Sequence, residues 1–148
     1  MSDHAEIVEL VVRFADAVNR LDVEQFEHVW APEGHWIIDP PTDFELQLPR
    51  AEIATIFGDA MTANWASFLQ LVHGTVVDIH GDHAHARSYL TEIAVPREGD
   101  FGYRNHGQYL DDLVRTDEGW RFARRHYRYL LHDDAPITGN TAPLGGVL

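Results

Sequence analysis

The stretch LQLVHGTVVDIHGDHAHARSYL, residues 69–90, decides how this chain is read. Two runs rich in β-branched residues flank Gly81–Asp82, a pair suited to a tight turn. The pattern predicts a strand over 66–80, a turn, and a returning strand over 83–95. The same logic continues downstream. Residues 103–116 read as a third long strand, Asp117–Glu118–Gly119 as a turn, and 120–132 as a fourth strand.

Within the opening stretch, strict alternation puts Leu69, Leu71, His73, Thr75, Val77 and Ile79 on one face. Gln70 and Asp78 lie on the other and assign it to water, so His73 is expected to point inward. A dry imidazole stays neutral and can accept a proton, which makes His73 a candidate base; the competing reading is a core histidine bonded to a backbone carbonyl. His80 and His83 flank the turn and are expected in solvent. His83 and His85 share a strand face, but a metal site needs three or four matched ligands, and no HExxH or Cys/His knuckle is present. No metal and no cofactor is expected.

Upstream, Ile7, Leu10, Val11, Phe14 and Val18 recur at helical spacing, with Asp3 and Glu6 resembling a capping box. Asp22 caps a second helix with Val23, Phe26, Val29 and Trp30 as its apolar side, ended at Ala31 by Pro32. Residues 35–39 read as a short strand stopped by Pro40–Pro41, followed by a polar loop to Pro49 and a third helix over 50–61. Residues 96–102 read as a loop. Helices first and long antiparallel strands afterwards predict an α+β fold, with residues 1–135 as one domain and 136–148 as an irregular tail, either loose or a flap over something apolar. A strongly curved sheet with helices on its concave side leaves a pocket wherever the helices do not fill it.

Composition excludes several classes. Twenty-four acidic against eleven basic residues give a net charge of −13, which repels phosphate backbones and argues against nucleic acid. Arg121, Arg124, Arg125 and Arg128 read as a charged outer strand face. There is no cysteine, no basic leader and no apolar run of membrane-spanning length, so a cytoplasmic location without membrane attachment is expected. No phosphate-binding glycine loop and no GxSxG elbow occurs.

Other candidates are carried by polar groups in apolar settings. Asp39 closes the run WIIDPP and could act as base or acid at a cavity mouth, or simply hold a turn. Asn19 sits between the first two helices, facing the cavity or ending the helix. Trp36, Tyr89 and Tyr109 offer aromatic surface with a hydrogen-bonding handle. One of Asp111 and Asp112 is expected to face inward.

Three segments carry a resemblance: FADAVNRLDVEQFEHVWAPEGHWIIDP (14–40), LVHGTVVDIHGDHAHARSYL (71–90) and HGQYLDDLVRTDEGWRFARR (106–125). In this order they resemble the SnoaL-like branch of the nuclear transport factor 2-like superfamily, across about residues 4 to 132. The resemblance implies a cone-shaped α+β barrel in which helices and a curved, mostly antiparallel sheet enclose one pocket. His73 falls where scytalone-dehydratase-like members carry a catalytic histidine, and Asp39 looks like the general base of ketosteroid-isomerase-like members. Asn19 stands where the dehydratases have an aspartate, and the second dehydratase histidine is replaced near Arg97. The function implied is a cofactor-free lyase or isomerase moving a proton next to a carbonyl of an apolar cyclic or aromatic molecule. His73 and Asp39 would be catalytic, with Asn19, Trp36, Tyr89, Tyr109 and Asp111 on the substrate. The alternative implied is a non-catalytic ligand-binding domain or accessory subunit, resembling the small subunit of ring-hydroxylating dioxygenases. A homodimer is implied as well.

Overall fold

A computed structural model describes residues 1–99 and 102–146. Three helices precede or interrupt a six-stranded sheet: α1 (Asp3–Arg20), α2 (Val23–His28), β1 (Trp30–Ile38), β2 (Phe44–Pro49), α3 (Arg50–Asn64), β3 (Trp65–His80), β4 (His83–Pro96), β5 (Tyr103–Thr116) and β6 (Gly119–Asp133). The strand order is β2-β1-β6-β5-β4-β3. Only the β1–β6 pair is parallel among these neighbours. The expected α+β class with helices packed on a curved sheet is therefore observed. The sheet is open, with β2 and β3 as its edges, rather than closed into a barrel.

The chain builds α1 from one apolar face: Ile7, Leu10, Val11, Phe14 and Val18 are all buried. The expected Asp3–Glu6 capping box does not form. Ser2 caps instead, accepting from the Ala5 N–H at 3.1 Å. Glu6 accepts from the Trp120 N–H at 2.8 Å, and Asp3 pairs with Arg115. Both acids thus tie the helix to the β5–β6 hairpin. Asp22 caps α2 through the Gln25 N–H, as its sequence predicts. That helix ends early, because Trp30 pairs with Phe122 of β6 and the Phe122 N–H donates to the Val29 carbonyl. Strand pairing overrides helical spacing here. The expected polar loop before Pro49 contains β2, whose Phe44, Leu46 and Leu48 alternate with exposed residues. The loop expected over 96–102 includes residues 100 and 101, which lie outside the described residues.

Two strands carry irregularities that decide which side chains face inward. In β3 the register passes from Val72↔Leu90 to Gly74↔Tyr89, so His73 is an extra, unpaired residue. In β6 the register slips between the pairs Asp112↔Arg124 and Leu113↔Phe122, and again between His106↔Leu131 and Gly107↔Tyr129. Each bulge reverses the inward parity and bends its strand. On β6 the inward set therefore runs Trp120, Phe122, then Arg125 and Tyr127, all buried. Arg125 was expected on the outer face and is instead in the core, bidentate to Asp111 at 2.8 and 3.0 Å. Its guanidinium lies 3.7 Å from the Tyr109 ring centroid and 4.1 Å from that of Phe122. Burial pushes the Asp111 carboxyl upward, and the guanidinium opposes it.

Residues 134–146 form no helix or strand but are docked. Ile137 packs over Gly102, and the Leu144 N–H donates to the Ala66 carbonyl at 2.8 Å. No described helix is long and apolar enough to cross a membrane.

Candidate functional site

The concave face of the sheet and helices α1 and α3 leave a cavity of about 420 Å³. Its wall is largely aromatic, with contributions from every strand. β3 contributes Gln70 and β4 contributes Glu92, which face each other in register. Gln70 Nε2 donates to Glu92 Oε1 at 3.2 Å. Glu92 is the only carboxyl-bearing residue among the described lining residues, which include no Lys, Arg or His.

Why Glu92 points inward follows from the pattern of its strand. Ala84, Ala86, Ser88, Leu90 and Ala94 are buried, and Glu92 shares their parity. Burial pushes its carboxyl up to about 7, while Gln70 and the Tyr127 hydroxyl pull the other way. A carboxyl titrating near neutrality is suited to exchange protons with a bound molecule.

Gln70 is itself held in place. Asn19 Nδ2 donates to the Gln70 carbonyl at 2.8 Å, and the Gln70 N–H donates to Asn19 Oδ1 at 2.6 Å. The Asn19 amide thus imitates a neighbouring strand on the free edge of β3, where backbone groups would otherwise lack partners. The clamp lies just ahead of the His73 bulge.

Tyr109, Tyr127 and Tyr129 enclose the carboxyl from β5 and β6. The Tyr109 and Tyr127 ring centroids are 5.2 Å apart, and those of Tyr127 and Tyr129 are 4.9 Å apart. Burial above all pushes all three phenols up, and the neighbouring Glu92 charge adds to this, so they remain neutral donors. Tyr129 shares a hydrogen bond with Thr42. The buried Tyr127 hydroxyl interacts with the Glu92 carboxyl. Trp36 Nε1 is buried as well, beside the Tyr109 hydroxyl. Gly107 makes this arrangement possible, because a Cβ there would collide with the Tyr127 ring and hydroxyl.

The residues expected from sequence are distributed unevenly. Trp36 and Tyr109 line the cavity. Asn19 acts one step behind it, through Gln70. Asp111 is the inward member of its pair but lies in the ion pair with Arg125, outside the lining. Asp39 is also outside the lining; its carboxylate meets His126 Nε2 at 2.6 Å, although Pro41 and Thr42 beyond it reach the cavity. Tyr89 is exposed on the outer face. His73, expected to point inward, is exposed there too; its Nε2 meets the Thr91 hydroxyl at 2.7 Å, and that hydroxyl meets His106 Nδ1 at 3.0 Å. The bulge is the physical reason: Phe68 and Gln70 face in before it and Val77 after it, so the alternation cannot be carried through position 73. Of the solvated histidines expected near the turn, His80, His83 and His85 are all exposed.

Glu92, Gln70, Tyr127 and Tyr129 were not anticipated. A signal for Glu92 was present: it is the single acid on the small, apolar parity of its strand, ARSYLTEIA read at every second residue.

The chain matches the family described as SnoaL-like domain over residues 1–126. No curated protein matches it in sequence. Three similar solved structures share the fold. A candidate scytalone dehydratase from Novosphingobium aromaticivorans is 16% identical, with TM-score 0.75, covering 91% of this chain and 89% of that one. The hexachlorocyclohexane dehydrochlorinase LinA-type3 from Novosphingobium barchaimii is 14% identical, with TM-score 0.78 and coverage of 94% and 92%. A nuclear transport factor 2-like superfamily protein from Salmonella enterica serovar Typhimurium is 19% identical, with TM-score 0.74 and coverage of 93% and 94%.

Proposed function

The chain belongs to the SnoaL-like domain family, and on that premise we propose that it is a cofactor-independent lyase or isomerase in which Glu92, not His73, moves the proton. The observation that carries this reading is the Glu92 carboxyl itself, raised to about 7 inside an aromatic cavity. The substrate is an apolar cyclic or aromatic molecule with a carbonyl.

In the proposed step, the Glu92 carboxylate accepts a proton from the carbon next to the carbonyl. The C–H electrons become the new C=C bond and the carbonyl π electrons move onto oxygen. The Trp36 N–H and the Tyr127 O–H in the cavity wall are suited to that developing charge. Where a second double bond is conjugated with the enolate, return of the proton to the far end of the conjugated system completes an isomerisation. Departure of a group from the next carbon completes an elimination instead. Dehydratase and dehydrochlorinase are the activities named for two of the similar structures, which supports an elimination. Gln70 orients the Glu92 carboxyl, and Asn19 holds Gln70. Mere binding of an apolar molecule would favour a wholly apolar cavity; a carboxyl among tyrosine hydroxyls supports chemistry on such a molecule.

The test is deuterium exchange from D₂O into the carbon next to the carbonyl of 1-tetralone, followed by NMR. Exchange above the buffer rate is expected for the native protein. It should fall by about 10²–10⁴ in Glu92→Gln, the usual contribution of an acid/base group, and persist in His73→Ala. Equal exchange in native and Glu92→Gln proteins would remove Glu92 from the mechanism. The homodimer belongs to the same proposal: exposed Leu71, Tyr89 and Leu131 lie on the outer sheet face, and size-exclusion chromatography should report twice the chain mass.

A further inference from the structure

Nine residues lining the cavity are aromatic, and among the described lining residues Glu92 is the one acid, with no basic side chain beside it. The nearby guanidinium of Arg125 is already committed to Asp111 through two hydrogen bonds. An ionised Glu92 thus has the Gln70 hydrogen bond but no counter-ion among the described lining residues. Aromatic faces carry negative potential and attract cations. The chain's net charge of −13 adds a field of the same sign.

We propose that the cavity is an organic-cation site: it takes a quaternary or protonated ammonium borne on an apolar group, with the nitrogen against the Glu92 carboxylate among Tyr109, Tyr127 and Tyr129. The inference rests on where Glu92 sits, and not on its role in proton transfer. A cation paired with Glu92 occupies the base, so such ligands inhibit the proposed reaction rather than undergo it.

The site is charged only when Glu92 is ionised, so cation affinity falls as pH drops through about 7. The polar groups that face Glu92 in the lining are amides and phenols. β3 presents the amide of Gln70, β5 presents Tyr103, Asn105 and Tyr109, and β6 presents Tyr127 and Tyr129. Tyr109, Tyr127 and Tyr129 are pushed upward and stay neutral. α1, α3, β1 and β2 add no titratable lining group. Behind the wall, His132 Nδ1 bonds the Asn105 side-chain oxygen Oδ1, and Asp39 acts on Tyr129.

Benzyltrimethylammonium and neopentylbenzene have the same shape and differ in charge, and quenching of Trp36 and Trp65, both in the wall, reads their binding. At pH 8 the cation should bind at least about tenfold more tightly than its neutral isostere, a difference of ~1.4 kcal/mol. The margin should shrink below pH 6 in the native protein and vanish in Glu92→Gln, which should still bind neopentylbenzene. Equal or tighter binding of the neutral isostere by native protein at pH 8 overturns the proposal, as does absence of cation binding or a preference that survives Glu92→Gln. The native pH series decides the matter if the variant does not fold. Neither probe can exchange a proton next to a carbonyl, so the two readings fail separately. Native protein that prefers the cation without catalysing 1-tetralone exchange supports this site and counts against the proposed reaction alone.

Discussion

Glu92 binds a proton more tightly in the folded chain than its ordinary value of 4.5 allows, because burial lifts it to about 7. The sign of the consequence is fixed. The fold is least burdened below pH 4.5, where the carboxyl is protonated in both states, and loses stability as pH rises through about 7. Glu92→Gln removes the ionisable group and keeps a hydrogen-bonding shape. It should raise the thermal midpoint at pH 8 and leave it nearly unchanged at pH 4. The gain is at most roughly 3 kcal/mol, reduced by whatever water the cavity admits. A calorimetric pH series on both proteins checks it; a variant less stable than native at pH 8 would show that the charged carboxyl is well accommodated. The same substitution should abolish proton exchange, so one residue links lower stability to activity.

The elements that hold Glu92 show where sequence alone sufficed and where it did not. Both hairpins, the cap at Asp22 and the apolar face of α1 were legible, because period and turn chemistry act locally. The bulges at His73 and within β6 were not. A bulge adds one unpaired residue and exchanges inside for outside, and nothing in LQLVHGT marks where this happens. Reading strict alternation through it sent His73 inward and Gln70 outward, the reverse of what is observed. Arg125 was misread for the same reason, one strand further on. Glu92 lies in β4, away from the bulge residues, and its parity was readable. The element-scale counterpart of the bulges is Gly107 on β5, where the Tyr127 hydroxyl occupies the space of a side chain. Gly107→Ala should displace Tyr127, cost about 1–3 kcal/mol of overpacking, and impair exchange of 1-tetralone more than its effect on stability explains. Native-like exchange in a folded Gly107→Ala protein would mean that Tyr127 is not needed where it stands.

Across the whole molecule, the buried Arg125–Asp111 pair joins β5 to β6 beneath the cavity, under the rings of Phe14, Tyr109 and Phe122. Arg125→Met leaves Asp111 buried without its partner and should cost about 3–5 kcal/mol, whereas Arg125→Met combined with Asp111→Leu should recover most of that; chemical denaturation of the single and double variants distinguishes the two. A pair worth little in both backgrounds would mean that the floor of the cavity rests on aromatic packing alone. Above that floor, helices, sheet and tyrosines combine to keep one carboxyl out of bulk water, and the proposed chemistry depends on their doing so. The most direct test is the titration of Glu92 itself, by carbon-13 NMR of the side-chain carboxyl in glutamate-labelled protein, assigned by its loss in Glu92→Gln. A midpoint near 7 is predicted. A midpoint near 4.5, that of an ordinary solvated glutamate, would contradict the account.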